Sequence, residues 1–165
     1  MSFSALTAFM PASARSLPRT LMTAAALTLG ALTVPATALA QSFVSIKNNA
    51  VSIRAKPQAK AEVQWELSRG YPLQVTGRQG AWIKVRDYES TLGWVQKSQT
   101  SNQGHHVVKA RVANLRSQAN DKSRVVGKLS QHEVVKTLGK RNNWVQVRTS
   151  GGKEGWVSAP LVWGF

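Results

Sequence analysis

Shifting this chain by 62 positions lays it on itself without a gap, and that register constrains the fold more than any other feature of the sequence. Arg54 falls on Arg116, Leu67 on Leu129, Gly77 on Gly139, Trp82 on Trp144 and Arg86 on Arg148. Gly93-Trp94-Val95 falls on Gly155-Trp156-Val157, and conservative pairs such as Ile53 with Leu115 and Ile83 with Val145 fill the spaces between. Rare tryptophans and glycines in one common register mark a structural unit of about 60 residues written twice. A unit that short is near the lower limit for a core that folds alone. Between the copies, residues 96–104 (QKSQTSNQG) carry the Ser, Gln, Asn and Gly of a connecting segment. The expected organisation is a leader at 1–40, a first domain at 41–97, a linker at 98–105 and a second domain at 106–165.

Each copy reads as short β-strands. In the first they fall around 51–54, at 63–67, 72–77, 81–86 and 92–95, separated by Lys56-Pro57, Arg69-Gly70, Gln79-Gly80 and Glu89-Ser90. Short strands with close turn punctuation predict an all-β chain of two tandem small barrels, since closure removes exposed edges.

The strand phase sorts the side chains. In the segment AWIKVR, Ile83 and Val85 share one face while Trp82, Lys84 and Arg86 share the other. The second copy repeats this, with Val145 and Val147 opposed to Trp144, Gln146 and Arg148. The aliphatic pair must face the core, which leaves the indole outside it beside a cation. Two uses follow for Trp82 and Trp144: packing under a loop, or an aromatic platform with Tyr71, Tyr88 and Trp65 as neighbours. Gly93 and Gly155 are expected at a bend or a close backbone approach.

These residues resemble the bacterial SH3-like domain. The features that carry the resemblance are Val51-Ser52-Ile53-Arg54 followed by Pro57, then Trp82-Ile83-Lys84-Val85, then Gly93-Trp94-Val95. In the second copy they are Ala113-Asn114-Leu115-Arg116, Trp144-Val145-Gln146-Val147 and Gly155-Trp156-Val157. The second copy departs from the first in having Ala119, Gly127 and Val134 where Pro57, Trp65 and Pro72 stand. The resemblance implies a binding module of the cell envelope rather than an enzyme, recognising peptidoglycan or its peptides. The expected site is a groove with aromatic walls and cationic rims, built from Tyr71, Trp82, Arg86 and Tyr88 in the first copy and from Trp144 and Arg148 in the second. A docking module for a peptide or an envelope enzyme is the alternative.

Residues 1–40 carry Arg15 and Arg19, an apolar run at 21–34 and the small-residue exit Ala38-Leu39-Ala40. That is the pattern of a secretory signal cleaved after Ala40, and the run is shorter than the roughly 20 residues a membrane span needs. The expected location is therefore periplasmic or secreted, with no stable membrane span after cleavage. Beyond the leader, 20 Lys and Arg stand against 7 Asp and Glu, a net charge of +13. Export argues against nucleic acid as the partner, leaving anionic envelope polymers or simple solubility to account for the charge. With no Cys, disulfides and thiolate chemistry are excluded. His105-His106 lacks the partners a metal site needs, and no nucleophile motif accompanies Asp121 and His132, so neither a cofactor nor catalysis is expected.

Overall fold

The alternation of aliphatic and polar residues folds each copy into one antiparallel sheet of seven strands. The computed structural model describes residues 42–165, and the expected leader lies outside them. The first sheet holds β1 (Phe43–Ile46), β2 (Val51–Arg54), β3 (Val63–Leu67), β4 (Pro72–Gln79), β5 (Trp82–Arg86), β6 (Leu92–Gln96) and β7 (Thr100–Ser101). The second holds β8 (His105–Val108), β9 (Val112–Arg116), β10 (Val125–Ser130), β11 (Val134–Arg141), β12 (Trp144–Arg148), β13 (Glu154–Ser158) and β14 (Val162–Gly164). A 3₁₀ turn precedes the last strand of each, at Lys97–Gln99 and at Ala159–Leu161. The order β3-β2-β6-β5-β4-β1-β7 recurs as β10-β9-β13-β12-β11-β8-β14.

The expected all-β pair of small tandem domains is present, and two details are added by the structure. The hydrogen-bonded ladders run from β3 to β7 and from β10 to β14 without joining their end strands, so neither is a closed barrel by strand pairing. Bulges at β2/β3 and β9/β10, and a two-residue β7, keep these edges short or irregular. The stretch 98–105, expected as a linker, is mostly built in. Thr100 and Ser101 pair with Ile46 and Ser45, and His105 opens β8. The buried Ser45 hydroxyl donates to the Gln103 carbonyl at 2.9 Å, which ties the remaining residues down as well.

The sequence phase of β5 and β12 holds. Ile83, Val85, Val145 and Val147 are buried, each contributing roughly 1.5–3 kcal/mol, while Trp82 and Trp144 are half-buried. The first core also takes Val44, Ile46, Ile53, Leu73 and Val95, and the second Val108, Leu115, Leu129, Val135 and Val157. The motif arginines have a structural task. Arg54 Nη1 donates to the Ala61 carbonyl at 2.6 Å, and Arg116 Nη1 to the Ser123 carbonyl at 2.7 Å, pinning the same loop in each copy. Replacing Pro57 by Ala119 leaves that loop's backbone bonds in place: Gln58 N–H to Lys56 and Asn120 N–H to Gln118, both 2.8 Å.

The copies meet through side chains the repeat does not share. The ring of Phe43 in β1 packs edge-on against Trp163 at 5.0 Å and lies 5.8 Å from Phe165. Trp163 belongs to β14, which pairs with β8. The turn at Gly70, where φ is +83°, sets its backbone against His105 and Val134; a Cβ there would lie 2.9 Å from the imidazole. Tyr88 and His132 stack loosely at 5.9 Å.

Gly155 shows the close approach expected of it. A Cβ at this position would sit 2.7 Å from the Arg116 carbonyl oxygen, which is backbone and cannot swing aside. Gly155→Ala should lower stability by about 1–3 kcal/mol. Gly151→Ala, whose nearest neighbour is 3.9 Å away, should stay near wild type in urea titrations.

Candidate functional site

Burial of the aliphatic faces leaves aromatic and polar side chains to line three surface cavities. The first opens at the junction of the two copies and measures about 310 Å³. Trp65 and Leu67 reach it from β3, Tyr71 from the β3–β4 turn and Tyr88 from the β5–β6 hairpin. His132 reaches it from the second copy, on a backbone held at φ +67°.

Two carboxylates edge this cavity. Asp87 is buried, and its Oδ1 accepts the Glu89 and Thr91 N–H groups at 2.9 and 2.8 Å, which fixes the hairpin. The Tyr88 hydroxyl donates to Glu89 Oε1 at 2.8 Å. Burial, then the hydrogen bond and charge of Glu89, push the Tyr88 phenol up to about 12. Burial, then the Asp87 carboxylate, push Tyr71 above the ordinary tyrosine range. Both phenols are neutral donors at any physiological pH. The cavity therefore joins aromatic surface to localised negative charge on an otherwise cationic chain.

A second cavity of about 380 Å³ lies on the first copy, between the β1–β2 turn and the strands β2, β5 and β6. Trp82 forms one wall, and Asn48, Asn49, Gln96 and Gln99 bring carboxamides to it. A third, of about 310 Å³, surrounds Trp144 with Phe43, His106, Lys140, Trp163 and Phe165.

Models of known families match both copies. One, described as a bacterial SH3 domain, covers residues 47–102, and another of the same description covers 111–162. The chain belongs to the bacterial SH3 domain family. It carries two such domains in tandem. Among curated proteins nothing matches. Among solved structures, similarity is found to NlpC1 and NlpC2 from Trichomonas vaginalis and to an NlpC/P60 family protein from Bacillus cereus. Identities are 15%, 14% and 14%, with TM-scores of 0.34, 0.34 and 0.36. The matches cover 74%, 76% and 74% of this chain and 45%, 48% and 56% of those chains, so the tandem SH3 unit spans about half their length.

The sequence placed Tyr71, Trp82, Arg86 and Tyr88 in one groove with cationic rims, and the SH3 fold separates them. Tyr71 and Tyr88 share the junction cavity with Trp65, while Trp82 stands in the amide-lined cavity. β5 carries Trp82 and Arg86 on one face but at opposite ends. The two candidate arginines are both engaged by neighbouring side chains. Arg86 Nε donates to Gln74 Oε1 at 3.0 Å, with Nη2 on the same oxygen, so its charge is held along the sheet. Arg148 pairs with Glu154 at 2.5 Å on the exposed surface. Trp144 stands apart from both, in the third cavity. His132 and the carboxamides were missed. His132 reaches the other domain's cavity, a juxtaposition that no local pattern encodes, whereas Asp87-Tyr88-Glu89 was a visible signal of acid beside an aromatic.

The two adjacent histidines diverge. His105 Nδ1 lies 3.1 Å from the Gln103 carbonyl, and burial lowers its pKa. His106 is buried, with Nδ1 2.7 Å from Thr137 Oγ1. Burial, then the charge of Lys140, lowers it from 6.5 to about 4 against an opposing backbone hydrogen bond to Phe165. The unfolded chain thus binds a proton at His106 in a window where the folded chain does not. The resulting stability is present above pH 6.5 and is lost as pH falls towards about 4, amounting to roughly 3 kcal/mol. Urea titrations near pH 7 and near pH 4.5 should show that His106→Asn has a shallower pH dependence than wild type by about this amount. Equal slopes would assign the acid sensitivity to other groups.

Proposed function

We propose that this protein is an exported, non-catalytic module that binds the cell wall, with the junction cavity as its principal contact. The observation that carries this reading is the meeting of Trp65, Tyr71 and Tyr88 with Asp87 and Glu89 in a cavity that His132 completes from the second domain. Bacterial SH3 domains often bind cell-wall components. An aromatic wall beside carboxylates suits a short peptide segment bearing an amino group, by cation–π attraction and charge-assisted hydrogen bonding. Such chemistry is that of the peptide part of a peptidoglycan. Domain junctions are favoured places for such pockets.

The remaining surface supports the same partner. The many Lys and Arg side chains outside the cavity attract anionic polymer over long range without specifying it. Export rests on the N-terminal basic-apolar-small pattern at 1–40. Among the described residues no helix is long and apolar enough to cross a membrane.

Purified protein should sediment with peptidoglycan sacculi at moderate salt. Tyr88→Ala, on an exposed hairpin, should weaken that binding about fivefold to tenfold with little loss of stability, the range expected for one aromatic contact. Glu89→Gln should weaken it and reduce its salt sensitivity. Soluble protein left in the supernatant would overturn the reading. Capture of one stoichiometric protein partner without sacculus binding would make the module a docking domain instead.

A further inference from the structure

The junction cavity leaves Trp82 unused. Its surroundings differ from those of its counterpart Trp144. Trp82 lies opposite Gln96 in the β5–β6 pairing, so the indole and the carboxamide stand side by side on the outer face of the sheet. Asn48 and Asn49 come from the β1–β2 turn, and Gln99 from the 3₁₀ turn before β7. The Asn48 carboxamide donates to Gln99 Oε1 at 2.9 Å, and the Arg69 N–H donates to Asn49 Oδ1 at 3.2 Å. These two contacts fix three of the four amides and leave donors and acceptors over. Among the described residues the Gln96 side chain makes no hydrogen bond. Ser52 adds a hydroxyl, and Arg54 is the one charged group of the lining, already engaged by the Ala61 carbonyl.

The duplication supplies an internal control. Trp144 repeats Trp82, so the fold uses an indole at this strand position. The positions of Asn48, Asn49, Gln96 and Gln99 are taken in the second domain by Ala110, Arg111, Ser158 and Leu161. An SH3 domain of this chain thus folds without any of the four amides. The turn that presents Asn48 and Asn49 also holds Ala50 at φ +53°, a left-handed conformation unfavourable for a residue with a Cβ and one that clusters at functional sites where it persists.

We infer that the Trp82 cavity is a binding site for a neutral sugar ring. A pyranose presents C–H groups on its face and hydroxyls on its rim. An indole wall meets the first, and carboxamides, each both donor and acceptor, meet the second. The lining holds no carboxylate to select an amine, and its one cation, Arg54, has Nη1 committed to the Ala61 carbonyl. A space of about 380 Å³ is of the size that holds a small ligand. The site is separate from the junction cavity, and its standing does not depend on the peptide contact proposed there.

The test is a titration of isotope-labelled, purified protein with a β-1,4-linked N-acetylglucosamine tetramer and, separately, with cellotetraose. The expected result is saturable movement, in the millimolar range, of the Trp82 indole N–H and the Gln96 and Asn48 side-chain amide signals. Movement with the acetylated sugar alone assigns the amides to its acetamido group; movement with both assigns them to ring hydroxyls. The double variant Asn48→Ala, Gln96→Ala changes exposed or half-exposed side chains and should weaken binding at least fivefold with an unchanged melting temperature. Trp144→Phe should leave the affinity unaltered. Silence of these signals with both sugars, or movement centred on Tyr88 or Trp144, overturns the site. Protein that sediments with sacculi yet ignores both sugars retains the wall-binding reading and loses this one, and the converse result separates them in the other direction.

Discussion

A β unit of about 60 residues has room for one layer of aliphatic side chains, and every other feature of this molecule follows from how that layer is filled. β5 and β12 each commit two β-branched residues to it, Ile83 with Val85 and Val145 with Val147. Successive residues of a strand point to opposite faces, so the same commitment turns Trp82 and Trp144 outwards. The indoles are then half-buried on the outer surface rather than used up in the cores. Surface aromatics of that kind are free to form cavity walls, and the proposed sugar site draws on Trp82.

Much of this could be read from the chain because its information is periodic. The 62-residue register fixed the equivalence of β4 with β11 and of β5 with β12, down to the bulges at Gly77 and Gly139. Alternation of two residues identified the inward face, and the Gly-Trp-Val segments marked where strands approach closely enough to exclude a Cβ. What could not be read is whatever joins parts without a shared period. Tyr71 and Tyr88 meet across a turn and a hairpin, and His132 joins them from the other domain. The fate of Arg86 and Arg148 was hidden for a related reason. Whether a cation is spare depends on its cross-strand neighbour, here Gln74 and Glu154, and pairing had to be known before the neighbour could be named.

The two domains are related by sequence but differ in the side chains they carry outside the shared framework. Both keep the arginine that pins the loop after β2 or β9, the glycine beside the indole of β6 or β13, and the 3₁₀ turn before the last strand. These are requirements of folding. The first domain adds the carboxamide cluster and the acidic hairpin. The second contributes His132, Trp163 of its last strand and Phe165 to the joint. Duplication thus separates what the fold demands from what one copy alone has acquired.

The contact of Phe43 with Trp163 and Phe165 has a mechanical consequence. Together with the abutment of Gly70 on His105, it gives the two domains more than one point of contact. The avidity of flexibly tethered modules comes from searching for a second foothold, and it tolerates many spacings. On the wall-binding reading proposed above, contacts at several points favour a target whose repeating groups match the spacing of the two domains, at the expense of versatility.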